Sequence, residues 1–134
     1  TDRAIYEAAI KYARENDFDD AIVLNENNLV ADASIYNVFI LKDGNIYTAP
    51  LTDAPVAGVL RELLLTRLQT IKIEEKSISI HDLYNADEIF LTNALRGIRW
   101  VEFMDDKRLP NSKTKEVFAE FKSVVFEHFG EHLV

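Results

Sequence analysis

Cysteine is absent from the 134 residues. No disulfide framework and no thiolate metal site can therefore be built from this chain. Glycine is scarce, at four residues, and neither a GxxxxGK[ST] nor a GxGxxG string occurs; both of those phosphate-cradling loops are excluded. No apolar run approaches the roughly 20 residues of a membrane span. Positive charge is also short: 15 Lys and Arg stand against 23 Asp and Glu, a net charge of −8. General nucleic-acid binders and anionic-membrane binders need a positive field, so neither partner is expected. A small local anion site remains compatible with that balance. The opening TDRAIYEAAIKYA is polar and amphipathic, without a signal-peptide pattern. A soluble, cytoplasmic protein is the expectation. Because the first residue is not Met, a fragment or a processed chain is expected.

What is present suits one domain over residues 1–134, with 48% hydrophobic residues to fill a core. Residues 2–16 read as a helix capped by Thr1 or Asp2, with Ile5, Ala9, Tyr12 and Ala13 at helical spacing. Tyr6 and Ile10 add a second stripe, so cover on two sides is expected and no chemistry is assigned. Ala21–Leu24, Leu29–Ala33, Tyr36–Lys42 and Asn45–Thr48 read as four strands of an antiparallel meander, with Asp43-Gly44 at a hairpin tip. A loop from Pro50 to Pro55 leads to a helix over Val59–Gln69, whose face is Leu60, Leu63, Leu64 and Leu68. Ile71–Ile73 reads as a short strand, Ser79–Asn85 as a helix capped by Ser79, and Glu88–Thr92 and Ile98–Phe103 as two more strands. A last helix covers about Lys113–Phe129, with Val117, Phe118, Phe121, Val124, Val125 and Phe129 inward. The fold class is α+β, with helices packed on a mostly antiparallel sheet.

Three places hold residues with chemistry to offer. Asp32 lies in V-A-D-A-S among small neighbours, which leave room for a flat group; spacing alone reads it as a solvated edge-strand aspartate. Gly58 opens a helix, where backbone N–H groups and the helix dipole favour an anion; the plainer reading is a loop glycine with an unusual φ. Thr92-Asn93-Ala94 follows a strand, where polar groups donate to a phosphate or else close a plain turn. Arg96, Arg99 and Trp100 read equally as pocket lining or as a surface strand. His81, His128 and His132 are scattered; the four-residue spacing of the last two lacks a third ligand, so no metal site is expected.

Together these segments resemble a family. The string DDAIVLNENNLVADASIYNVFILKDGNIYTAPL is similar to the middle of class IV aminotransferases, the fold-type IV pyridoxal-phosphate enzymes. These include branched-chain and D-amino-acid aminotransferases and 4-amino-4-deoxychorismate lyase. Ala57-Gly58-Val59-Leu60-Arg61 matches the family's P-G-I/V-x-R segment, and Asp87-Glu88-Ile89-Phe90 its D-E-hydrophobic-F. The resemblance covers about Thr1 to Val101 and implies the larger, cofactor-cradling C-terminal domain of such an enzyme. It implies pyridoxal phosphate as cofactor, a small-molecule amino substrate and a homodimer. Asp32 takes the position of the carboxylate that pairs with the cofactor's pyridine nitrogen. Gly58, Val59 and Leu60 take the positions whose backbone binds its phosphate. Thr92, Asn93 and Ala94 complete that cup, and L-T-N-A-L is closer to the lyase than to the E-I-T-P of branched-chain aminotransferases. Asn37 would be structural.

Three departures accompany the resemblance. The ring carboxylate is Asp where Glu is commoner, and Leu60 stands where many members have Thr. The Schiff-base lysine would sit a couple of residues before Thr1, and Lys11 and Lys42 are not substitutes. No catalytic residue is therefore assigned within this chain, which lacks the family's N-terminal domain and by itself should lack covalent catalysis. Two readings stay open: part of an aminotransferase or aminodeoxychorismate-lyase-like enzyme, or a non-catalytic truncated domain serving in assembly. The residues encoded before Thr1 discriminate between them.

Overall fold

The computed structural model describes the backbone of residues 3–129 and the side chains of residues 3–124. The expected cap at Thr1 or Asp2, the inward Val125 and Phe129, and the His128–His132 spacing lie outside the described residues.

Helix α1 (Arg3–Glu15) leads into strands β1 (Ile22–Leu24), β2 (Val30–Ala33), β3 (Asn37–Lys42) and β4 (Asn45–Thr48). A single 3₁₀ turn, Leu51–Asp53, precedes α2 (Val59–Arg67), β5 (Ile73–Glu75) and the one-turn α3 (Ile80–Tyr84). Strands β6 (Glu88–Asn93), β7 (Gly97–Trp100), β8 (Phe103–Met104) and β9 (Lys107–Arg108) follow, and α4 (Ser112–Phe129) ends the described chain. The main sheet has the order β5-β4-β3-β6-β7. All its pairs are antiparallel except β4 with β5, in keeping with the α+β expectation. Among the described residues no helix is long and apolar enough to cross a membrane.

The central strands explain the order. NVFILK in β3 and EIFLTN in β6 are buried on both faces. Side chains alternate across a strand, so Val38, Ile40, Ile89 and Leu91 enter a core beneath β2 and α3, while Phe39, Leu41 and Phe90 enter a second core beneath α2 and α4. Register pairs Phe39 with Phe90, and their rings stack at 4.7 Å between centroids, 3° from parallel. Burial of each such side chain contributes roughly 1.5–3 kcal/mol. Asp43 and Gly44 both have positive φ, 51° and 80°, the geometry a two-residue type I′ hairpin needs. Glu88, buried at the start of β6, accepts from the backbone N–H groups of Lys113 and Thr114, both at 2.9 Å, and so caps α4 from the sheet. Ser79 caps α3 as expected, in a capping box with Asp82.

The continuous meander expected from Ala21 to Thr48 is not formed. Strands β1 and β2 make a two-stranded sheet of their own, and the chain turns between Ala33 and Tyr36, closed by the Ala33 N–H to the Tyr36 carbonyl at 2.9 Å. β3 pairs instead with β6, which matches its six-residue length and stacks Phe90 on Phe39, whereas β2 has only four residues. Helix α1 is covered on one side, not two: Ala13 is buried and Tyr6, Ala9 and Ile10 half-buried, while Ile5 and Tyr12 are exposed. The strand expected over Ile98–Phe103 stops at Trp100, and Phe103 starts the small β8–β9 hairpin. The strand expected over Ile71–Ile73 lies slightly later, as β5.

Candidate functional site

Where β2, the start of α2 and the end of β6 meet, a pocket of about 240 Å³ opens. Asp32, Gly58, Val59, Leu60, Thr92, Asn93 and Ala94 all line it. Residues that are up to 62 positions apart by their numbers are thus brought to one concavity. Arg96, Arg99 and Trp100 do not line it, and no lysine does among the described residues.

Asp32 is the centre of its polar framework. It is 1% exposed, so the reading of a solvated edge aspartate is overturned: β1 covers one edge of β2, and the 50–58 loop covers the carboxylate. The Tyr6 hydroxyl donates to Oδ2 at 2.6 Å and the Val56 N–H to the same oxygen at 2.8 Å. Asn37 Nδ2 donates to Oδ1 at 2.8 Å and to the Val56 carbonyl at 2.8 Å. Asp32 and Asn37 together staple the loop before α2 onto β2 and β3. Loss of water around it pushes the Asp32 carboxyl above the ordinary carboxylate range; the bonds from Tyr6, Val56 and Asn37 and the charge of Arg61 oppose that rise.

Gly58 is the N-cap of α2, with φ −70° and no side-chain cap. The unusual φ considered for it is therefore absent. Its reason is close approach: a Cβ built there would collide with Asn37 Oδ1 and come within 3.5 Å of Asn37 Cγ. Gly58, Val59 and Leu60 line the pocket at this helix start, where the N–H groups of Val59 and Leu60 have no intrahelical acceptor. Thr92 lies opposite Asn37 in register, so both project to the same face. Its Oγ1 is buried and has no hydrogen-bond partner among the described residues. Asn93 is committed elsewhere: Nδ2 donates to the Ile35 carbonyl at 2.6 Å, and Oδ1 accepts from Leu95 and Arg96 N–H. Its side chain closes the turn, leaving only backbone for a ligand.

Two contributors escaped the sequence reading. Tyr6 looked like filler on an apolar stripe, and nothing in the periodicity distinguishes a phenol that reaches a carboxylate 26 positions away. Arg61 was only the end of a matched string. It is 2% exposed, and its Nη2 donates to the Ala49 carbonyl at 3.0 Å and pairs with Glu75 Oε2 at 2.8 Å. It ties α2 to β4 and β5 and places positive charge behind Asp32. The site thus offers an acceptor at one end, and N–H donors and a spare hydroxyl at the other. It suits a ligand with a donor on one side and an anion on the opposite side.

The profile of the family described as amino-transferase class IV matches residues 1–102. A probable branched-chain-amino-acid aminotransferase from Aquifex aeolicus is 30% identical over 112 residues, covering 81% of this chain and 36% of the relative. An aminodeoxychorismate lyase from Vibrio harveyi is 34% identical over 84 residues, 61% of this chain and 31% of that protein. An aminotransferase from Brucella abortus, solved bound to the co-factor PLP, shares the fold with a TM-score of 0.81 at 24% identity, over 88% of this chain and 43% of its own. The chain spans about a third of the length of the curated relatives it matches.

Proposed function

The chain belongs to the amino-transferase class IV family, and from that premise we propose that it forms the cofactor-cradling domain of a pyridoxal-phosphate enzyme that transfers or releases an amino group. The observation that carries this is the convergence of Asp32, the uncapped start of α2 and the unpartnered Thr92 hydroxyl on one pocket. The residues fit the group. A carboxylate has about four acceptor positions, and Tyr6, Val56 and Asn37 fill three of them. The fourth, on Oδ1, suits a pyridine N–H. At the other end the N–H groups of Val59 and Leu60 suit a phosphate, and the Thr92 hydroxyl supplies a contact of the kind lost where Leu60 replaces threonine.

When bound, pyridoxal phosphate supplies an electron sink for negative charge that develops beside the substrate's nitrogen. As a carboxylate, Asp32 would hold a proton on the ring nitrogen. Asn37 and Val56 keep the carboxylate aligned, and Arg61 keeps α2 seated so that its N-terminus faces the anion. On this reading the Schiff-base lysine and the family's N-terminal domain belong to sequence beyond these 134 residues, a point that the codons before Thr1 test directly. We further propose a homodimer, supported by Ile35, Val56 and Val59, which line the pocket and are exposed, and by the exposed Leu95 next to the pocket-lining Ala94; light scattering that finds only monomer counts against it. A cytoplasmic location belongs to the same proposal and is tested by cell fractionation.

The experiment is to titrate the intact protein with pyridoxal phosphate by absorbance, then assay it with branched-chain amino acids plus 2-oxoglutarate, and separately with aminodeoxychorismate. Glutamate formation supports transfer, and pyruvate formation supports the lyase. Asp32→Asn should cut either activity by more than about a hundredfold with the fold retained. Full activity in that variant, or no cofactor uptake by the wild type, overturns the reading in favour of a non-catalytic module.

A further inference from the structure

We propose that Tyr6 is a positioning residue for the ring-facing carboxylate: from α1 its hydroxyl locks Asp32 in one orientation and keeps it ionised, so that Oδ1 is presented to a protonated ring nitrogen. The proposal rests on the cofactor reading above and deepens it.

The geometry is specific. Tyr6 and the Val56 N–H both donate to Oδ2, at 2.6 and 2.8 Å, while Asn37 takes one side of Oδ1 at 2.8 Å. Two donors saturate Oδ2, so the remaining acceptor position is on Oδ1. Rotating the carboxylate out of this plane would break bonds to three separate elements: α1, the loop before α2, and β3. The Tyr6 bond has the length of a charge-assisted O–H···O⁻ contact.

The charge state follows from the same contacts. A buried carboxyl tends toward its neutral form, and a neutral carboxyl donates a proton where the ring nitrogen requires an acceptor. Burial is the largest influence on Asp32, and the Tyr6 bond is the largest influence opposing it, ahead of Val56, Asn37 and the charge of Arg61. Tyr6 is itself pushed well above the ordinary phenol range by burial and by Asp32, so it stays protonated and donates at every working pH. The charged or titratable groups facing Asp32 are Tyr6 from α1 and Arg61 from α2; β1 is apolar and β3 contributes the neutral Asn37. Tyr36 also lines the pocket.

The test compares wild type, Tyr6→Phe and Asp32→Asn in the intact protein, using pyridoxal phosphate and its 1-deaza analogue, in which a C–H replaces the ring nitrogen. Tyr6→Phe should weaken pyridoxal phosphate binding about tenfold and leave the analogue within about twofold. The ¹³C resonance of the Asp32 carboxyl, assigned by its loss in Asp32→Asn, should titrate at higher pH in Tyr6→Phe. With 3-fluorotyrosine at position 6, a stronger donor of nearly the same shape, it should titrate lower. Wild type that binds and Asp32→Asn that does not, with Tyr6→Phe indistinguishable from wild type, overturns this proposal alone. An Asp32 titration unmoved by both changes at Tyr6 also overturns it. Wild type that binds neither compound overturns the cofactor reading and this proposal with it.

Discussion

Gly58→Ala tests whether the carboxylate and the helix start are one mechanical unit. The backbone at Gly58 has φ −70° and ψ 150°, which alanine adopts freely, so no strain comes from the dihedrals. The cost comes from the new methyl, which would overlap Asn37 Oδ1. A flexible side-chain end usually swings away cheaply. Asn37 cannot, because its Nδ2 is held by Asp32 Oδ1 and the Val56 carbonyl, both at 2.8 Å. Displacing it gives up one bond to a charged group and one neutral bond, about 1.5 and 1 kcal/mol, and overpacking adds about 1. The total is roughly 3.5 kcal/mol, which for a domain of this size lowers Tm by about 12 °C. Thermal unfolding followed by circular dichroism checks the figure, and a double-mutant cycle checks the cause. In an Asn37→Ala background, Gly58→Ala should cost less than about 1 kcal/mol, since the obstacle has gone. A Gly58→Ala protein that melts with the wild type refutes the reasoning. So does an equal cost in both backgrounds, which would place the penalty in the helix cap instead of in the clamp.

Thr92→Val removes a buried hydroxyl that has no partner among the described residues; it should raise the stability of the ligand-free protein by about 1 kcal/mol while weakening phosphate-bearing ligands, read by urea titration and by binding. Glu88→Ala withdraws the acceptor shared by Lys113 and Thr114 at the start of α4 and should cost about 2 kcal/mol by urea titration. Asp82 is held below the ordinary carboxylate range, first by the Ser79 N–H. Its stabilisation is therefore complete above the unfolded value of about 3.9 and is lost as pH falls through the lower folded value. Asp82→Asn should be less stable than wild type at neutral pH, and the gap should close in acid. Asp32 has the opposite sign: with its carboxyl raised by burial, its contribution shrinks as pH rises from the unfolded value through the folded one. Asp32→Asn should therefore gain stability relative to wild type across that same rise.

Much of the local structure was legible because its causes are local. Positive φ at two successive residues is what Asp43-Gly44 tolerates, so the β3–β4 hairpin follows from the dipeptide and its β-forming flanks. Ser79 with Asp82 three residues on is a cap whose partners lie within one turn. The motif strings around Asp32, Gly58 and Thr92 pointed, through their likeness to a family, to segments that meet at one pocket, although spacing alone favoured plainer readings for Asp32 and Gly58. What only the tertiary structure decided are relations between distant segments. Strand pairing is one: β2 and β3 are adjacent in sequence, yet β3 hydrogen-bonds to β6, because the longer ladder and the stacking of Phe39 on Phe90 outweigh the short connection. The need for glycine at position 58 is another, since it is set by the amide of Asn37 and not by its own dihedrals. Tyr6 is the third. Periodicity records which way a side chain faces but not what waits there, and only folding puts the Asp32 carboxylate at the end of its phenol.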